Sequence, residues 1–263
     1  MGLAARTRLA YRSLMSRYDF TSQRLFLDAD LGASETVPLD RDQANYLVNV
    51  LRLSPGAGVL VFNGRDGEWR AALEGDRKRA ALRIEDQTRE QTRPPDLHYL
   101  FAPLKQARLD YMVQKAVEMG AGRLRPVITR HTQVHRLNGE RLRANAIEAA
   151  EQCGILTIPA IDEPVALGDV LARWTAESGE RRILFCDEDE TGADPAARLR
   201  ALPPAPIAVL IGPEGGFSAE ERALLASLPF VTPIALGPRI LRADTAAVAA
   251  LALVQAAIGD WRS

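Results

Sequence analysis

The chain has 263 residues, of which 47% are hydrophobic and 25% are charged, and its formal net charge is −1. This composition is typical of a globular protein of one or two domains that buries a core without disulfides. The sequence has no apolar run of about 18 residues, and its two cysteines match no metal or redox spacing. We therefore expect a cytoplasmic protein without a membrane segment or a metal site.

The N-terminal region up to residue 17 is rich in arginine, lacks acidic residues and contains no apolar core of signal-peptide length. Met15 is a second plausible start. We predict that residues 1–14 form an extension with no role in the fold. Two domains are expected to follow, at residues 15–92 and 93–263.

The first of these domains is predicted to be rich in β-strands. Short apolar runs at 24–27 and 59–62 are interrupted by turn dipeptides such as Asn63-Gly64. Apolar residues at helical spacing predict one helix near residues 40–51. The pattern indicates a small barrel with a short helix, and the consecutive prolines at 94–95 mark its end.

After these prolines, strand and helix patterns alternate. We predict strands near 99–101, 125–128, 183–186, 207–211 and 231–236, and helices near 109–120, 138–153 and 245–258. The continuously apolar runs suit strands buried on both faces, so the fold class is α/β with a mostly parallel sheet. Asn138 is expected to cap the second helix, and Asp244 or Thr245 the last one. Residues 187–190 are expected to form an exposed acidic loop.

Positive charge is concentrated at the start of the second domain. Residues 93–150 include ten Lys or Arg against five Asp or Glu. Such density suits contact with phosphates, and a solvated helix face is the alternative. His131 and His135 lie four residues apart with no third ligand nearby, so nucleic-acid contact or an ordinary surface is expected there rather than zinc.

Two glycine-proline loops follow predicted strands. The first, residues 212–218 (Gly-Pro-Glu-Gly-Gly-Phe-Ser), exposes backbone polar groups, and Ser218 with Glu221 forms a capping box for the next helix. The second, residues 236–242 (Leu-Gly-Pro-Arg-Ile-Leu-Arg), contains two arginines suited to holding an anion. Neither is a dinucleotide fingerprint or a P-loop. Lying at adjacent strand ends, the loops are predicted to enclose one flat, uncharged heterocycle.

Together these loops resemble the motifs of the ribosomal small subunit methyltransferase E family, which belongs to the SPOUT superfamily of knotted methyltransferases. The resemblance extends over nearly the whole chain from Met15. Residues 24–26 and 50–52 resemble the family's PUA-like barrel, and 114–120 and 148–153 its catalytic domain. It implies a SPOUT-type parallel-sheet methyltransferase domain with a deep trefoil knot, preceded by a small PUA-like β-barrel.

The resemblance also implies an activity, which is methylation of N3 of one uridine in the decoding region of 16S ribosomal RNA. The methyl donor would be S-adenosylmethionine, the substrate the small ribosomal subunit, and the enzyme a homodimer. The cofactor contacts that it implies are Leu184, Ile211, Gly212, Pro213, Glu214, Gly215, Leu236, Gly237, Pro238, Ile240, Leu241 and Thr245. The chain departs from the family pattern at three places. The family often has His where this chain has Asn45 and Tyr46, Arg where it has Ile155, and Glu where it has Asp244.

The chemistry of N3 methylation suggests roles for charged residues. Uridine N3 is a poor nucleophile until its proton leaves, so the enzyme must favour the imide anion. We hypothesise that Arg242, together with Arg239, stabilises charge on the uracil oxygens. Glu214 or Asp244 either accepts the proton or holds an arginine. The candidates for RNA contact are Arg24, Arg52, Lys105, Arg123, Arg130 and Arg136.

Three other functions fit the sequence less well. A ribose 2′-O-methyltransferase would show Asn- and Ser-containing loops, which are absent from the sequence. A non-catalytic RNA-binding protein with a degenerate pocket has no reason to keep intact glycine loops. A dehydrogenase would carry the missing phosphate fingerprint.

Overall fold

The computed structural model describes residues 22–76, 78–187 and 194–262. The predicted extension at residues 1–14 and the second start at Met15 lie outside the described residues. The chain divides into two compact units: the first ends at Arg93 and also includes Glu151–Thr157, and the second comprises Pro94–Ala150 and the chain from Ile158 onward. The assignment of Glu151–Thr157 to the first unit differs from the predicted domain limits.

The first unit is built on a five-stranded sheet. Its strands are β1 (Arg24–Phe26), β2 (Thr36–Pro38), β3 (Gly58–Phe62), β4 (Glu68–Glu74) and β5 (Ala81–Arg89). They lie in the order β1-β3-β4-β5-β2, with β1 parallel to β3 and the other neighbours antiparallel. Alternate residues of β3, such as Val59 and Val61, enter the core, as the two-residue period of a strand requires. The predicted β-rich domain is confirmed, as an open half-barrel.

The predicted helix of this unit is shorter and less regular than its sequence pattern. It consists of α1 (Arg41–Asn45) and a π-helical turn (Tyr46–Val50). Asp40 caps α1 by accepting bonds from the backbone N–H groups of Asp42 and Gln43, and the Gln43 side chain accepts the Asp40 N–H at 3.1 Å. This reciprocal capping fixes where the helix begins.

The residues at 151–157 belong to the first unit because its strands and its C-terminal segment hydrogen-bond to them. Phe26 N donates to Glu151 Oε1 at 2.8 Å, Arg89 Nη2 donates to the Gly154 carbonyl at 3.0 Å, and Gln91 Nε2 donates to the Leu156 carbonyl at 3.1 Å. These contacts join segments that are far apart in the sequence.

A buried ion cluster lies at the start of β4. Glu68 accepts bonds from Arg24 Nε at 3.0 Å, from Arg89 Nε at 3.0 Å and from the Thr88 hydroxyl at 2.8 Å. Burial alone would raise the pKa of Glu68, but the bonds from Arg89, Thr88 and Arg24 outweigh it and lower that pKa. Arg24 was predicted to contact RNA. That prediction is wrong, because its guanidinium is buried against Glu68.

The second unit contains a parallel sheet. Its strands are β6 (Leu97–Phe101), β7 (Arg123–Ile128), β8 (Ala160–Ile161), β9 (Val165–Ala166), β10 (Arg182–Cys186), β11 (Ile207–Ile211) and β12 (Val231–Ile234). The order is β12-β10-β11-β6-β7-β8, and β9 pairs with β7. Pro233 lies in β12 at the sheet edge, where its missing N–H is tolerated. The predicted α/β fold with a parallel sheet of the SPOUT type is confirmed.

The helices of the second unit are α2 (Gln106–Glu118), α3 (Gly139–Cys153), α4 (Leu167–Ser178), α5 (Pro195–Arg200), α6 (Ala219–Ser227) and α7 (Ala243–Ala257). Gly120 follows α2 with φ of +80°, a conformation that suits the end of a helix. The Asn138 side chain accepts the Arg141 N–H at 3.0 Å, so its predicted role as a cap is confirmed. Among the helices that the structure describes, none is long and apolar enough to cross a membrane.

The start of α7 differs from the prediction that Asp244 or Thr245 caps it. The helix already begins at Ala243, and Arg242 occupies the capping position without a side-chain cap bond. Burial of Ala243 and a 2.7 Å bond from Ala246 N to the Arg242 carbonyl extend the helix towards the preceding loop.

The ion cluster around Glu68 gives a first stability prediction. In Glu68→Gln, the buried ion pair between Arg24 and Glu68 is lost, and we expect the free energy of unfolding to fall by about 3 kcal/mol. The matched control is Glu74→Gln on the same strand, whose exposed ion pair with Arg83 contributes less than about 1 kcal/mol. Urea unfolding of the full chain measures both. Equal losses of unfolding free energy in the two variants would show that burial does not strengthen the contribution of Glu68.

The same carboxylate makes stability depend on pH. The pKa of Glu68 is lowered in the folded protein from its ordinary value of 4.5. The resulting stabilisation is complete above that ordinary value and is lost as the pH falls through the lowered pKa. Below neutral pH, the free energy of unfolding should therefore change less with pH in Glu68→Gln than in the wild type. The same pH dependence of the free energy of unfolding in both proteins would show that Glu68 contributes nothing to acid sensitivity.

Candidate functional site

A cavity of about 840 Å³ opens at the carboxyl ends of β10, β11 and β12. This edge is where parallel α/β sheets bind their ligands. The lining residues are Arg108, Cys186, Asp187, Pro195, Ile211, Gly212, Pro213, Glu214, Gly216, Phe217, Arg222, Ala235, Leu236, Gly237, Pro238, Arg239, Ile240, Leu241, Arg242, Ala243 and Ala246. Both glycine-proline loops thus face one space.

The sequence suggested that the two loops follow adjacent strands, but the structure places them on strands that are not neighbours. They follow β11 and β12, and β10 lies between these strands. The carboxyl end of β10 consequently adds Cys186 and Asp187 to the lining between the loops.

Most of the predicted cofactor residues surround this cavity. Those in the lining are Ile211, Gly212, Pro213, Glu214, Leu236, Gly237, Pro238, Ile240 and Leu241. Leu184, Gly215 and Thr245 are not lining residues: Leu184 is buried within β10, Gly215 lies just beyond Glu214, and Thr245 is exposed in the first turn of α7. Arg239 and Arg242, predicted to act in catalysis, also line the cavity.

The conformation of the first loop, residues 212–218, depends on a close approach between Gly212 and Phe217. A Cβ atom added at Gly212 would lie 2.5 Å from the Phe217 ring. The ring is buried and packs edge-on against Phe185, with centroids 5.0 Å apart. The loop ends where Ser218 and Glu221 form the predicted capping box of α6, which is confirmed.

The second loop, residues 236–242, is open to solvent. Gly237 has φ of +100°, a conformation that favours glycine, and Ile240 is 84% exposed. Arg239 and Arg242 are exposed as well. The loop leads directly into the N-terminus of α7, whose partial positive charge adds to that of the arginines.

The charges in the cavity divide into paired and unpaired groups. Arg108 Nη1 lies 3.6 Å from Glu214 Oε1, and Arg222 forms an ion pair with Asp187. Asp187 therefore does not belong to an exposed acidic loop as predicted, and the rest of that stretch lies outside the described residues. Arg239 and Arg242 form no ion pair with any residue that the structure describes. They leave the cavity with an excess of positive charge.

Cys186 contributes a neutral thiol to the lining. Burial raises the pKa of this thiol to about 12, so the group stays protonated at neutral pH. It is neither a thiolate nucleophile nor a metal ligand in that state. No cluster of three or more His, Cys, Asp or Glu side chains that could hold a metal ion occurs in the described part of the chain.

A loop from another part of the sequence contacts the first glycine loop. It comprises residues 129–138 between β7 and α3, and we call it the β7–α3 loop. His131 Nδ1 lies 3.0 Å from the Gly215 carbonyl oxygen and 3.2 Å from that of Gly216. Glu221 Oε1 accepts the Arg130 N–H at 2.8 Å.

The predicted RNA-contact residues have different environments. Lys105, Arg130 and Arg136 are exposed in the second unit, and Arg52 is exposed in the first with φ of +55°. Arg123 is engaged by Asp162, with Nε 2.9 Å from Oδ1. Arg52, Lys105, Arg130 and Arg136 thus remain candidates for phosphate contact.

Several residues of the site were not found from the sequence. Arg108 comes from the first turn of α2, Arg222 from α6 and Asp187 from the residue after β10. No motif surrounds these positions, and only the fold brings them to the cavity. The sequence singles out His131 only through its spacing from His135, and no motif predicts its contact with the glycine loop.

Comparison with known proteins gives a consistent result. A family model for an RNA methyltransferase domain matches residues 91–255, and one for an RNA methyltransferase PUA domain matches residues 39–85. The ribosomal RNA small subunit methyltransferase E of Rickettsia conorii is 32% identical over 235 residues, which cover 88% of this chain and 94% of that protein. Its namesake from Synechocystis is 31% identical over 224 residues, covering 84% and 73%.

Two solved structures are similar over most of their length. A Legionella pneumophila methyltransferase in complex with the cofactor S-adenosylmethionine has a TM-score of 0.77 and 31% identity, covering 90% of this chain and 98% of that one. A ribosomal RNA small subunit methyltransferase E from Neisseria gonorrhoeae, bound to S-adenosylmethionine, has a TM-score of 0.75 and 27% identity, covering 89% and 97%.

The Gly212–Phe217 approach yields a test that needs no ligand. In Gly212→Ala, the new methyl group must displace the buried ring or the loop, and we expect a loss of about 1–3 kcal/mol in the free energy of unfolding. Gly168→Ala in α4 is the control, since nothing lies within 4 Å of its added Cβ. That change should stabilise the helix by about 0.5–1 kcal/mol. Scanning calorimetry measures both, and a neutral Gly212→Ala would refute the steric argument.

Proposed function

This chain belongs to the ribosomal RNA small subunit methyltransferase E family, and on that premise we propose that it methylates N3 of one uridine in the decoding region of 16S ribosomal RNA. Its donor is S-adenosylmethionine, the cofactor of similar solved structures. One observation supports the proposal most: two glycine-proline loops face the same cavity as Arg239 and Arg242, which form no ion pair with the residues that the structure describes.

The cavity fits such a cofactor. Its volume of about 840 Å³ lies in the range of sites that enclose a small molecule. Backbone groups of residues 211–214 and 236–241 would hold the adenine and ribose, as glycine there keeps the backbone accessible. When bound, S-adenosylmethionine supplies an electrophilic methyl group on a sulfonium centre.

The arginines are suited to act on the uracil ring. Loss of the N3 proton spreads negative charge onto the two carbonyl oxygens, so a fixed cation beside them favours the reactive anion. Arg242 and Arg239 are exposed at the cavity and have no counter-charge there among the described residues. We assign them to this role, with Arg242 first because it also stands at the N-terminus of α7.

Glu214 is the better of the two candidates for accepting the proton. Its side chain lines the cavity, whereas Asp244 does not. Arg108 lies 3.6 Å from the Glu214 carboxylate, so this arginine can orient the acceptor towards a bound base. Asp244 instead accepts the Thr245 N–H at 2.9 Å within α7.

The remaining parts of the proposal concern RNA and assembly. We assign phosphate contacts to the exposed Lys105, Arg130 and Arg136, with Arg52 in the first unit. Phosphate contacts position an RNA without identifying its sequence. The family further leads us to propose a cytoplasmic homodimer whose C-terminal region forms a trefoil knot.

The decisive experiment is methyl transfer from labelled S-adenosylmethionine to small ribosomal subunits from a strain that lacks this protein. Nucleoside mass spectrometry then identifies the product. We expect N3-methyluridine at a single site in 16S ribosomal RNA. A methyl group on a ribose would instead place the protein among ribose 2′-O-methyltransferases, and cofactor binding without transfer would indicate a different RNA.

Arg242→Ala tests the catalytic assignment. Removing the cation should lower kcat by about 10²–10³-fold, while calorimetry shows unchanged affinity for S-adenosylmethionine. Arg173→Ala serves as the control, because Arg173 lies on α4 in an exposed pair with Glu177. A folded Arg242→Ala protein with the full methylation rate would end the arginine proposal.

A further inference from the structure

The β7–α3 loop and the first glycine loop are joined by several contacts around His131. The ring nitrogen Nδ1 of His131 is within hydrogen-bonding distance of two carbonyl oxygens, those of Gly215 and Gly216. A Cβ atom added at Gly215 would lie 3.2 Å from the His131 Cβ. The Gly215 backbone lies so close to the His131 side chain that a side chain at Gly215 would press on the histidine.

The atoms involved determine where the histidine carries a proton. Carbonyl oxygens only accept hydrogen bonds, so Nδ1 must be the protonated nitrogen. That condition holds for the Nδ1–H tautomer of neutral imidazole and for imidazolium. His131 therefore acts as a donor shared between two consecutive glycine carbonyls.

These carbonyls belong to the two consecutive glycines of the first glycine loop. Gly215 and Gly216 are consecutive, Gly216 has φ of +66°, and both follow the cavity residue Glu214. Glycine loses more conformational freedom on ordering than any other residue, so a Gly-Gly pair needs restraint to hold a fixed shape. Within the loop, Gly216 N bonds to the Pro213 carbonyl at 2.9 Å.

Glu221 adds a second connection between the same two loops. One carboxylate oxygen accepts the Arg130 N–H at 2.8 Å, and the other accepts the Ser218 N–H at 2.9 Å. Glu221, the third residue of α6, thus bonds to the residue before His131 and to Ser218, the capping residue at the end of the glycine loop. His131 and Glu221 bracket residues 215–218 from both sides.

We propose that His131 is a positioning residue, whose Nδ1–H donor holds the Gly215–Gly216 backbone in the conformation that binds the cofactor. The inference rests on the proposed function in one respect: residues 211–214 must contact S-adenosylmethionine. The same side chain links the cofactor site to the loop that carries Arg130 and Arg136, the proposed phosphate contacts.

The test compares His131→Ala and His131→Asn with His135→Ala as the matched control. Asparagine places its Nδ2 donor near the position of the histidine Nδ1, whereas alanine has no donor. His135 is an exposed histidine of the same loop. The first readout is hydrogen exchange of the Gly216 amide in the protein alone, and the second is calorimetric affinity for S-adenosylmethionine without RNA.

We expect His131→Ala to speed exchange at Gly216 and to weaken cofactor affinity by about fivefold, the effect of one lost hydrogen bond. His131→Asn should restore both quantities to the wild-type values, and His135→Ala should change neither. Thermal unfolding confirms that each variant is folded.

Two results would overturn the proposal. One is wild-type exchange and affinity in His131→Ala, and the other is an equal loss in His131→Ala and His131→Asn, since the donor would then not matter. Neither readout requires RNA. A failure to methylate uridine, with exchange and affinity as expected, would therefore count against the proposed reaction alone.

Discussion

The site depends on the parallel direction of β10, β11 and β12. Because their carboxyl ends meet at one edge of the sheet, loops that are distant in the sequence surround a single cavity. The intervening β10 sets the spacing of the loops and supplies the wall between them. A one-residue slip of β11 against β10 and β6 would move the glycine loop and force both buried faces of the strand to repack, so close packing on the two faces fixes the geometry of the site.

The surroundings of the arginines divide them into two groups, those that form ion pairs within the protein and those that are exposed at the cavity. Arg24 is buried against Glu68, and Arg222 is paired with Asp187. Their charges are compensated, and their role is to hold segments together. Arg239 and Arg242 project from an open loop beside a helix N-terminus, where two sources of positive charge add. No residue in the described part of the chain compensates their charge, which leaves them suited to hold an anion.

Glycine determines the shape of the first glycine loop and also leaves it with few side chains to hold that shape. Gly212 allows the Phe217 ring to sit beneath the backbone, and Gly215 allows His131 to approach. The glycines contribute no side chains of their own, so the bond from Gly216 N to the Pro213 carbonyl is supplemented by contacts from outside the loop. Phe185 below, Glu221 at the end and His131 at the side supply these contacts from three different elements.

The sequence by itself determined the local features: the apolar runs that form strands, the capping boxes at Asp40 and Ser218, and the glycine-proline loops with their arginines. These follow from periodicity and from the conformational needs of a few neighbouring residues. The tertiary structure alone decided that Arg24 is buried, that α7 begins at Ala243 and that Arg108 reaches Glu214. It also placed Glu151–Thr157 with the first unit and His131 beside Gly215. Each of these features depends on a contact between residues far apart in the chain. The periodicity of neighbouring residues does not show which distant residues meet, and the order of the strands in the sheet decides that.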